Sequence, residues 1–308
     1  MPDKVLIATE KPFAESARDS MVKMFEEAGL RPVVLEKYKD KSDLLSAVSD
    51  AAAVVIRSDK ITKEVLKAAK KLKLVVRAGA GYDNVDCSEA SALHVIVENT
   101  PGQNANAVAE LTFGLMIMIA RGKYSGKSGT ELKGKKLGVH ALGNIGKIVT
   151  SLGRAFGMEV CAFDPYLDQC IFEECCVACI TKIEDLYATC DYVSVHIPAS
   201  PETIKFINYQ LLSKMKKGGT LVNTARAEVI NEEELFKIMA DRPDIKYASD
   251  IAPTNAAAFT EKFADRVFFT PKKMGAQTAE ANTNAGLAAA RQIIAFLKEG
   301  KVLNQVNG

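Results

Sequence analysis

The amino-acid sequence predicts an α/β fold with two lobes, each built on a parallel β-sheet. Short apolar runs of strand length alternate with amphipathic helical segments along the chain, which is the rhythm of parallel βα units. A strand, a glycine turn, a helix and a second strand begin only at Lys136, in the middle of the chain. A first set of βα units therefore precedes a second set, and 308 residues are enough for two cores.

The first lobe is predicted to be flavodoxin-like. We expect strands at 4–9, 31–36, 53–57, 73–77 and 94–97, and helices at 15–28, 43–48 and 64–70. Gly29 follows the first helix, at the position where a left-handed residue often ends a helix.

The second lobe is predicted to be a doubly wound parallel sheet. A long helix at 104–121 and a polar loop at 125–134 come first; strands are then expected at 137–142, 160–163, 192–196, 220–223 and 247–250. Asn231 is a predicted N-cap for a helix at 231–239, and a last helix at 280–298 ends before Gly300 and crosses back to the first lobe. The expected fold is therefore two Rossmann-like lobes. The second lobe, 99–280, is inserted in a substrate domain formed by 1–98 and 281–308, with substrate in the cleft.

The glycine turn reads Ala141-Leu-Gly143-Asn-Ile-Gly146. The helix that follows such a turn presents backbone N–H groups and a positive dipole end to a pyrophosphate. Asp164 follows the next strand, where an acid accepts hydrogen bonds from the adenosine ribose. The segment predicts a nicotinamide dinucleotide; the alternative is an ordinary βα turn that binds another ligand.

Two details of this motif lead to further expectations. Ala141 stands where the first glycine of G-x-G-x-x-G belongs, so we expect a negative φ there. Asp164 is expected to repel a 2′-phosphate, and no arginine follows Tyr166 directly to receive one, which favours NAD over NADP.

Composition excludes several classes of function. The formal net charge is +2, and no basic stripe with interleaved aromatic residues predicts a nucleic-acid partner. The most apolar helix, 108–120, contains Glu110 and is too short to span a bilayer, and no signal peptide precedes the first strand. Without such a signal, the seven cysteines favour a reducing cytoplasm.

Four of these cysteines cluster, at positions 170, 175, 176 and 179. Cys176 and Cys179 have a metal-like or redox-like spacing, but a second such pair is missing and no histidine is nearby. We expect no metal, and interpret the cluster as small apolar residues around a strand.

The candidate chemistry lies just beyond predicted strands. Arg226 could clamp a carboxylate and polarise a carbonyl oxygen, or be a surface salt-bridge arginine. The glycine-rich turn after Arg77 could form an anion-binding nest or be a plain turn. His196 is expected to be structural rather than a proton carrier. Lys272 and Lys273, by themselves, would be taken for solvated charges.

Taken together, these segments resemble the D-isomer-specific 2-hydroxyacid dehydrogenases over essentially the whole chain. The matching stretches are 77–86, 101–110, 137–165, 193–198, 221–235 and 269–281. Within the family, the chain most resembles short members that act on 3-phosphoglycerate, lack a C-terminal regulatory domain and carry lysines after Thr270-Pro271. Because the sequence ends at residue 308, we expect no separate regulatory domain. The resemblance also implies a homodimer formed through the helix at 104–121 and the loop after it.

The resemblance implies roles for the matched residues. Arg226 is expected to be the catalytic arginine. The residues expected to bind substrate are Arg57, Ser58, Gly79, Ala80 and Asn104. Those expected to bind NAD are Gly143, Asn144, Ile145, Gly146, Asp164, His196, Ile197, Pro198, Thr224, Ala225 and Asp250. Asp250 is expected to approach the nicotinamide amide, and Arg57 is a candidate for a substrate phosphate.

The chain departs from the family at the acid–base pair. Most members place a histidine after Thr-Pro and pair it with a glutamate, whereas here the glutamate position is Asn255 and the histidine position is Lys272 or Lys273. A carboxylate would raise the pKa of a lysine further above 7, whereas a lysine base needs a cationic neighbour and little water. We expect Lys273 to be the proton acceptor, because the downstream match from Gly275 is longer.

The implied reaction is oxidation of 3-phosphoglycerate to 3-phosphohydroxypyruvate, the entry to serine synthesis. Two alternatives remain open. One is another D-2-hydroxyacid dehydrogenase, acting on glycerate, glyoxylate or hydroxypyruvate. The other is a non-catalytic NAD(H)-sensing protein, which the absence of the usual histidine and glutamate keeps open.

Overall fold

The computed structural model describes residues 2–308 and divides into two compact units. Unit 1 contains the residues up to Asn104 together with Thr278–Gly308, and unit 2 is Ala105–Gln277. The divisions after Asn104 and after Gln277 compare with predicted ones after residues 98 and 280.

Unit 1 is built on a five-stranded parallel sheet of order β2-β1-β3-β4-β5. This order is that of flavodoxin-like sheets. Its elements before the chain enters unit 2 are β1 (Lys4–Thr9), α1 (Glu15–Glu27), β2 (Arg31–Glu36), α2 (Lys41–Val48), β3 (Ala53–Ile56), α3 (Lys63–Ala68), β4 (Leu74–Arg77), α4 (Cys87–Ala92) and β5 (Ile96–Asn99).

Unit 2 is built on a seven-stranded parallel sheet. Its elements are α5 (Ala105–Ala120), β6 (Lys136–His140), α6 (Asn144–Ala155), β7 (Glu159–Phe163), α7 (Gln169–Glu174), β8 (Ala178–Cys179), α8 (Ile183–Thr189), β9 (Tyr192–Val195), α9 (Tyr209–Ser213), β10 (Thr220–Asn223), α10 (Glu232–Asp241), β11 (Lys246–Ser249), α11 (Ala256–Phe263) and β12 (Val267–Phe269). Short 3-10 turns lie at Gly122–Tyr124, Ala227–Val229 and Ala264–Arg266. The chain then returns to unit 1 as α12 (Ala279–Glu299).

The strand order in unit 2 is β12-β11-β10-β9-β6-β7-β8. The chain runs outward in one direction from β6 through β7 and β8, and in the other direction from β9 through β12. The order therefore reverses between β6 and β9, and in open parallel sheets ligands bind at the carboxyl ends of the strands beside such a reversal. The prediction of two Rossmann-like lobes is confirmed.

The central strands of both sheets are buried on both faces, which explains their nearly continuous apolar sequences, whereas the edge strand β2 is partly exposed. In unit 1, Leu6 and Val54 belong to one core cluster, whereas Val5 and Val55 belong to another on the opposite face. In unit 2, Val193 and Val139 likewise belong to two separate clusters.

The observed elements differ from the predicted ones mainly at their ends. The last strand of unit 1 lies at Ile96–Asn99 rather than 94–97, because the unpredicted helix α4 precedes it. Asp86 caps α4 by accepting a hydrogen bond from the Glu89 N–H at 3.0 Å, and His94 then turns the chain with a φ of 56°. Gly157 and Gly300 follow α6 and α12 in left-handed conformations.

The cysteines form no disulfide among the described residues. Cys170 and Cys176 are exposed, Cys175 and Cys179 are half-buried, and Arg154 donates to the carbonyls of Cys175 and Cys176. Within 2–308, no group of three or more His, Cys, Asp or Glu side chains is arranged to hold a metal ion. No helix of the same range has both the length and the apolar character needed to cross a membrane.

Candidate active site

The candidate residues of unit 2 lie at one edge of its sheet. The glycine turn follows β6, Asp164 follows β7, and His196, Ile197 and Pro198 follow β9. Thr224, Ala225 and Arg226 follow β10, Asp250 follows β11, and the two lysines come after β12. Because all these strands are parallel, their carboxyl ends share one edge of the sheet.

The glycine turn forms a tight cradle at the N-terminus of α6. A Cβ at residue 146 would lie 2.2 Å from the carbonyl oxygen of Ala141, so only glycine fits there. A Cβ at residue 143 would meet nothing within 4 Å, so the space beside Gly143 is open to a ligand. The first-turn amides of Asn144, Ile145 and Gly146 have no partner within the helix and can bind an anion. This cradle fits a dinucleotide pyrophosphate.

The backbone conformation of Ala141 contradicts one prediction. Its φ is +83°, not negative. The turn keeps the backbone conformation that a glycine would supply, and the alanine adopts it at a cost of about 1–2 kcal/mol.

The side chain of Asp164 is tied to the same cradle. Its Oδ2 accepts from the Leu142 N–H at 2.9 Å and its Oδ1 from the Tyr166 N–H at 3.1 Å. The residue is half-buried, and each oxygen keeps a further lone pair for a ribose hydroxyl.

His196 follows β9 and is half-buried. Its Nε2 is 2.7 Å from the Ser194 hydroxyl, and its Nδ1 is buried with no hydrogen-bond partner among residues 2–308. Burial, with a smaller contribution from the charge of His140, lowers the pKa of His196 to about 3. Burial also lowers the pKa of His140 to about 4, and its Nδ1 lies 3.3 Å from the Tyr187 hydroxyl. Both imidazoles are therefore neutral at neutral pH.

The Arg226 loop is held by Asn223. The Asn223 side chain accepts from the Ala225 N–H and donates to the Arg226 carbonyl, both at 2.9 Å. Arg226 is half-buried and donates from Nη1 to the Ala225 carbonyl at 2.9 Å. The hydroxyl of Thr224 is buried 3.0 Å from that of Thr112, so only the backbone of Thr224 is available to a cofactor.

Asp250 is fully buried at the end of β11, and its carboxylate is engaged by the segment that carries the lysines. Oδ1 accepts from the Thr270 hydroxyl at 3.0 Å and from the Met274 N–H at 2.7 Å. Oδ2 accepts from the Gly275 N–H at 2.8 Å. Lys272 and Lys273, both exposed, lie between these donors in the chain. Thr270 was not singled out from the sequence; its position directly after a strand and before a proline was the available signal.

The candidate residues of unit 1 lie at the carboxyl ends of neighbouring strands. Arg57 and Ser58 follow β3, Gly79 and Ala80 follow β4, and Asn104 comes after β5. The Gly79 carbonyl accepts from the Thr100 N–H, and the Ala80 carbonyl from the Asn99 side chain. Within the described chain, neither the Gly79 nor the Ala80 amide donates to a protein acceptor, which suits an anion-binding turn.

A cation that the sequence did not single out lies against this turn. Gly79 has a φ of +146°, and a Cβ there would lie 1.5 Å from Nη1 of Arg77. The guanidinium of Arg77 therefore covers Gly79 directly, and its Nε donates to the Arg57 carbonyl at 3.1 Å. The signal available in the sequence was an arginine two residues before a glycine at a strand end.

The guanidinium of Arg57 is held in place by three hydrogen bonds and an aromatic ring. Its Nη1 donates to the carbonyls of Lys11 and Pro12 at 3.0 and 2.8 Å, its Nη2 donates to Asn282, and its guanidinium lies 5.2 Å from the centre of the Phe13 ring. Burial lowers its pKa, although it remains a cation. Ser58 is exposed and Asn104 is half-buried.

Asn255, at the position where most of the family has glutamate, is the exposed residue before α11. It lines a cavity of about 810 Å³ beside the Arg226 loop, together with Glu228, Glu232 and Phe236. None of the residues expected to bind cofactor or substrate lines this cavity.

Comparison with known proteins places these features in context. A sequence profile described as "D-isomer specific 2-hydroxyacid dehydrogenase, NAD binding domain" matches residues 112–272. A hydroxypyruvate reductase of Thermotoga maritima is 34% identical over 84% of this chain and 89% of its own length. A D-3-phosphoglycerate dehydrogenase of Methanocaldococcus jannaschii is 35% identical over 98% of this chain, which spans 59% of that protein's length. The structure of NAD+-bound 3-phosphoglycerate dehydrogenase from Entamoeba histolytica matches 100% of this chain and 99% of its own, with 43% identity and a TM-score of 0.89.

Proposed function

Because the chain belongs to the D-isomer specific 2-hydroxyacid dehydrogenases and has their NAD-binding domain, we propose that it oxidises D-3-phosphoglycerate to 3-phosphohydroxypyruvate. The observation that carries the chemistry is the position of Arg226 and the two lysines. They follow β10 and β12, the two strands that flank β11 at one edge of the sheet. The names of the Entamoeba and Methanocaldococcus proteins support the substrate.

In the proposed mechanism, the guanidinium of Arg226 binds the substrate carboxylate and polarises the oxygen at C2. The Lys273 amine takes the proton of the C2 hydroxyl, with Lys272 as the alternative acceptor. NAD, when bound, supplies the acceptor for the hydride that leaves C2. The cradle of Gly143–Gly146 and the carboxylate of Asp164 hold the pyrophosphate and ribose. The amides of Gly79 and Ala80, beside Arg77, bind the carboxylate, and Arg57 is assigned to the phosphate.

The experiment is an absorbance assay that follows NADH with 3-phosphohydroxypyruvate and a panel of 2-keto acids. We expect Lys273→Ala to lower kcat by about 100-fold or more, the usual contribution of a general acid or base, and Lys272→Ala to lower it by less than about tenfold. The reverse order would move the proton transfer to Lys272. Normal turnover by both variants would remove lysine from the mechanism.

A hydroxypyruvate reductase is a second candidate, because the Thermotoga relative with that name is covered over 89% of its length. Comparison of kcat/KM for hydroxypyruvate with and without its 3-phosphate separates the two. Arg57→Ala should remove the preference for the phosphorylated substrate in the first case and leave kcat/KM unchanged in the second.

We also propose a homodimer formed through α5 and the loop after it, in which Tyr124 is 64% exposed. Sedimentation at micromolar concentration tests this: a monomer would contradict it. Tyr124→Asp, placed in that loop, should shift the protein toward monomer.

A further inference from the structure

The segment after β12 has no helix or strand of its own between Thr270 and Thr278, yet it carries both candidate lysines. A loop on a sheet edge holds a side chain in place only if its backbone is tied down. Here one side chain, that of Asp250, accepts the hydrogen bonds that hold the backbone of the segment. Asp250 accepts a hydrogen bond from the residue two before Lys272 and from each of the two residues after Lys273.

The geometry of this closure is specific. Asp250 is fully buried, and its own N–H donates to the Asn223 carbonyl at 3.0 Å. The single hydrogen of the Thr270 hydroxyl is shared between the Asp250 backbone carbonyl, at 2.7 Å, and Oδ1, at 3.0 Å. A Cβ at residue 275 would lie 3.0 Å from Oδ2, so a glycine lets the N–H of Gly275 reach the carboxylate at 2.8 Å.

We propose that Asp250 is a positioning residue for the lysine pair. Its carboxylate closes residues 270–275 into one loop and so fixes where the amines of Lys272 and Lys273 lie. This inference rests on the proposed function for its catalytic consequence, but not for the closure itself. It also gives Asp250 a role that does not depend on contact with the nicotinamide amide.

Asp250→Asn is the informative variant because it keeps the shape of the side chain. An amide has only one oxygen, so its NH2 group must face at least one of the N–H donors of Met274 and Gly275. Asp265→Asn is the matched control: the same change at an exposed position in the same unit.

The first measurement is hydrogen–deuterium exchange of the NAD-free protein. In Asp250→Asn we expect the amides of Met274 and Gly275 to exchange about tenfold faster or more, with the exchange of other peptides of the unit close to that of the control. Thr270→Val leaves both amide bonds in place. It should give a smaller increase in exchange, and it serves in place of Asp250→Asn if that variant does not fold.

The second measurement separates positioning from cofactor contact. We expect the Asp250→Asn variant to lose about tenfold or more in kcat and to shift the pH at which kcat is half-maximal, while the Kd for NADH changes less than about threefold. Unchanged exchange at Met274 and Gly275 would overturn the closure, and so would a large loss of NADH binding with normal kcat. Faster exchange in a protein whose lysine variants keep full activity would instead overturn only the proposed mechanism.

Discussion

Asp164 and Asp250 follow two strands of the same parallel sheet, and the sequence analysis assigns both to the cofactor. In the structure, the two carboxylates differ in burial and in the hydrogen bonds that they accept. Asp164 is half-buried and receives two backbone N–H groups from its own turn and the glycine turn beside it. Asp250 is fully buried and receives three donors from a segment 20 to 25 residues further along the chain.

This difference in burial and hydrogen-bond partners shows that the strand an aspartate follows decides which groups its carboxylate binds. Asp164 follows β7, and its accepting bonds are local, so its outer lone pairs stay available to a ligand. Asp250 follows β11, next to β12, which leads directly into the lysine segment. Its carboxylate is largely used in holding that segment.

The largest effect expected from this comparison is on stability. Asp250→Ala leaves the backbone N–H groups of Met274 and Gly275 without acceptors, whereas the Thr270 hydroxyl keeps the backbone carbonyl of residue 250, and we expect it to lower the free energy of unfolding by about 3 kcal/mol. Asp164→Ala leaves donors that water can reach, and we expect a loss of about 1 kcal/mol. Urea unfolding at constant pH measures both values. Equal losses would mean that burial does not separate the two carboxylates.

The second-largest effect concerns the preference between NADH and NADPH, and here Asp164 is expected to matter more than Asp250. Asp164→Ser removes the charge beside the expected ribose site, so the ratio of kcat/KM for NADPH to that for NADH should rise about tenfold or more. Asp250→Asn should leave that ratio within about twofold, even though kcat falls. If Asp250→Asn changed the ratio as much as Asp164→Ser, the division of roles between the two aspartates would be wrong.

The sequence allowed Asp164 to be placed more completely than Asp250, for a physical reason. Strand ends can be read from apolar runs, and the partners of Asp164 lie in the adjoining turns, so its surroundings follow from local sequence. The partners of Asp250 depend on the path of a loop that no periodicity describes. The same limit explains why Arg77 over Gly79 was missed, since an arginine two residues before a glycine does not by itself show that the guanidinium folds back over the strand end.

The secondary structure was likewise predictable where the local sequence carries a signal. Strands such as Thr220–Asn223 and helices closed by glycine were located within a few residues, because both patterns are periodic or marked at their ends. The unpredicted helices α4, α7, α8, α9 and α11 are short, with five to eight residues each. Elements of this length carry too few turns or alternations to show a period, and tertiary packing decides them.

The two aspartates have to be compared at a pH where other groups do not change the result. Burial lowers the pKa of His140 to about 4 and of His196 to about 3, whereas an unfolded histidine has a pKa near 6.5. The unfolded chain therefore takes up protons that the folded chain refuses, and stability falls as the pH drops below about 6.5. Between pH 7 and 5.5 the expected loss is about 1 kcal/mol for each histidine.

The measurement is the Tm or the urea midpoint across that pH range. His140→Gln and His196→Gln should each make the decline with pH shallower. His94→Gln, at an exposed position, is the comparison variant and should keep the full decline. A decline that is equally steep in all three variants would show that groups other than His140 and His196 cause it.

The smallest expected effect tests the strain in the turn that Asp164 supports. Ala141 has a φ of +83°, and its conformation is fixed by the bond from the Leu142 N–H to Asp164 and by the close approach of Gly146 to the Ala141 carbonyl. Ala141→Gly removes the steric cost of a positive φ but adds freedom to the unfolded chain, so the net gain in the free energy of unfolding should be only about 0.5–1 kcal/mol. In an Asp164→Ala background the turn can relax, and the gain should shrink toward zero. Urea unfolding of the four proteins of this cycle measures the coupling. A gain of the same size in both backgrounds would show that Asp164 does not hold the alanine in its strained conformation.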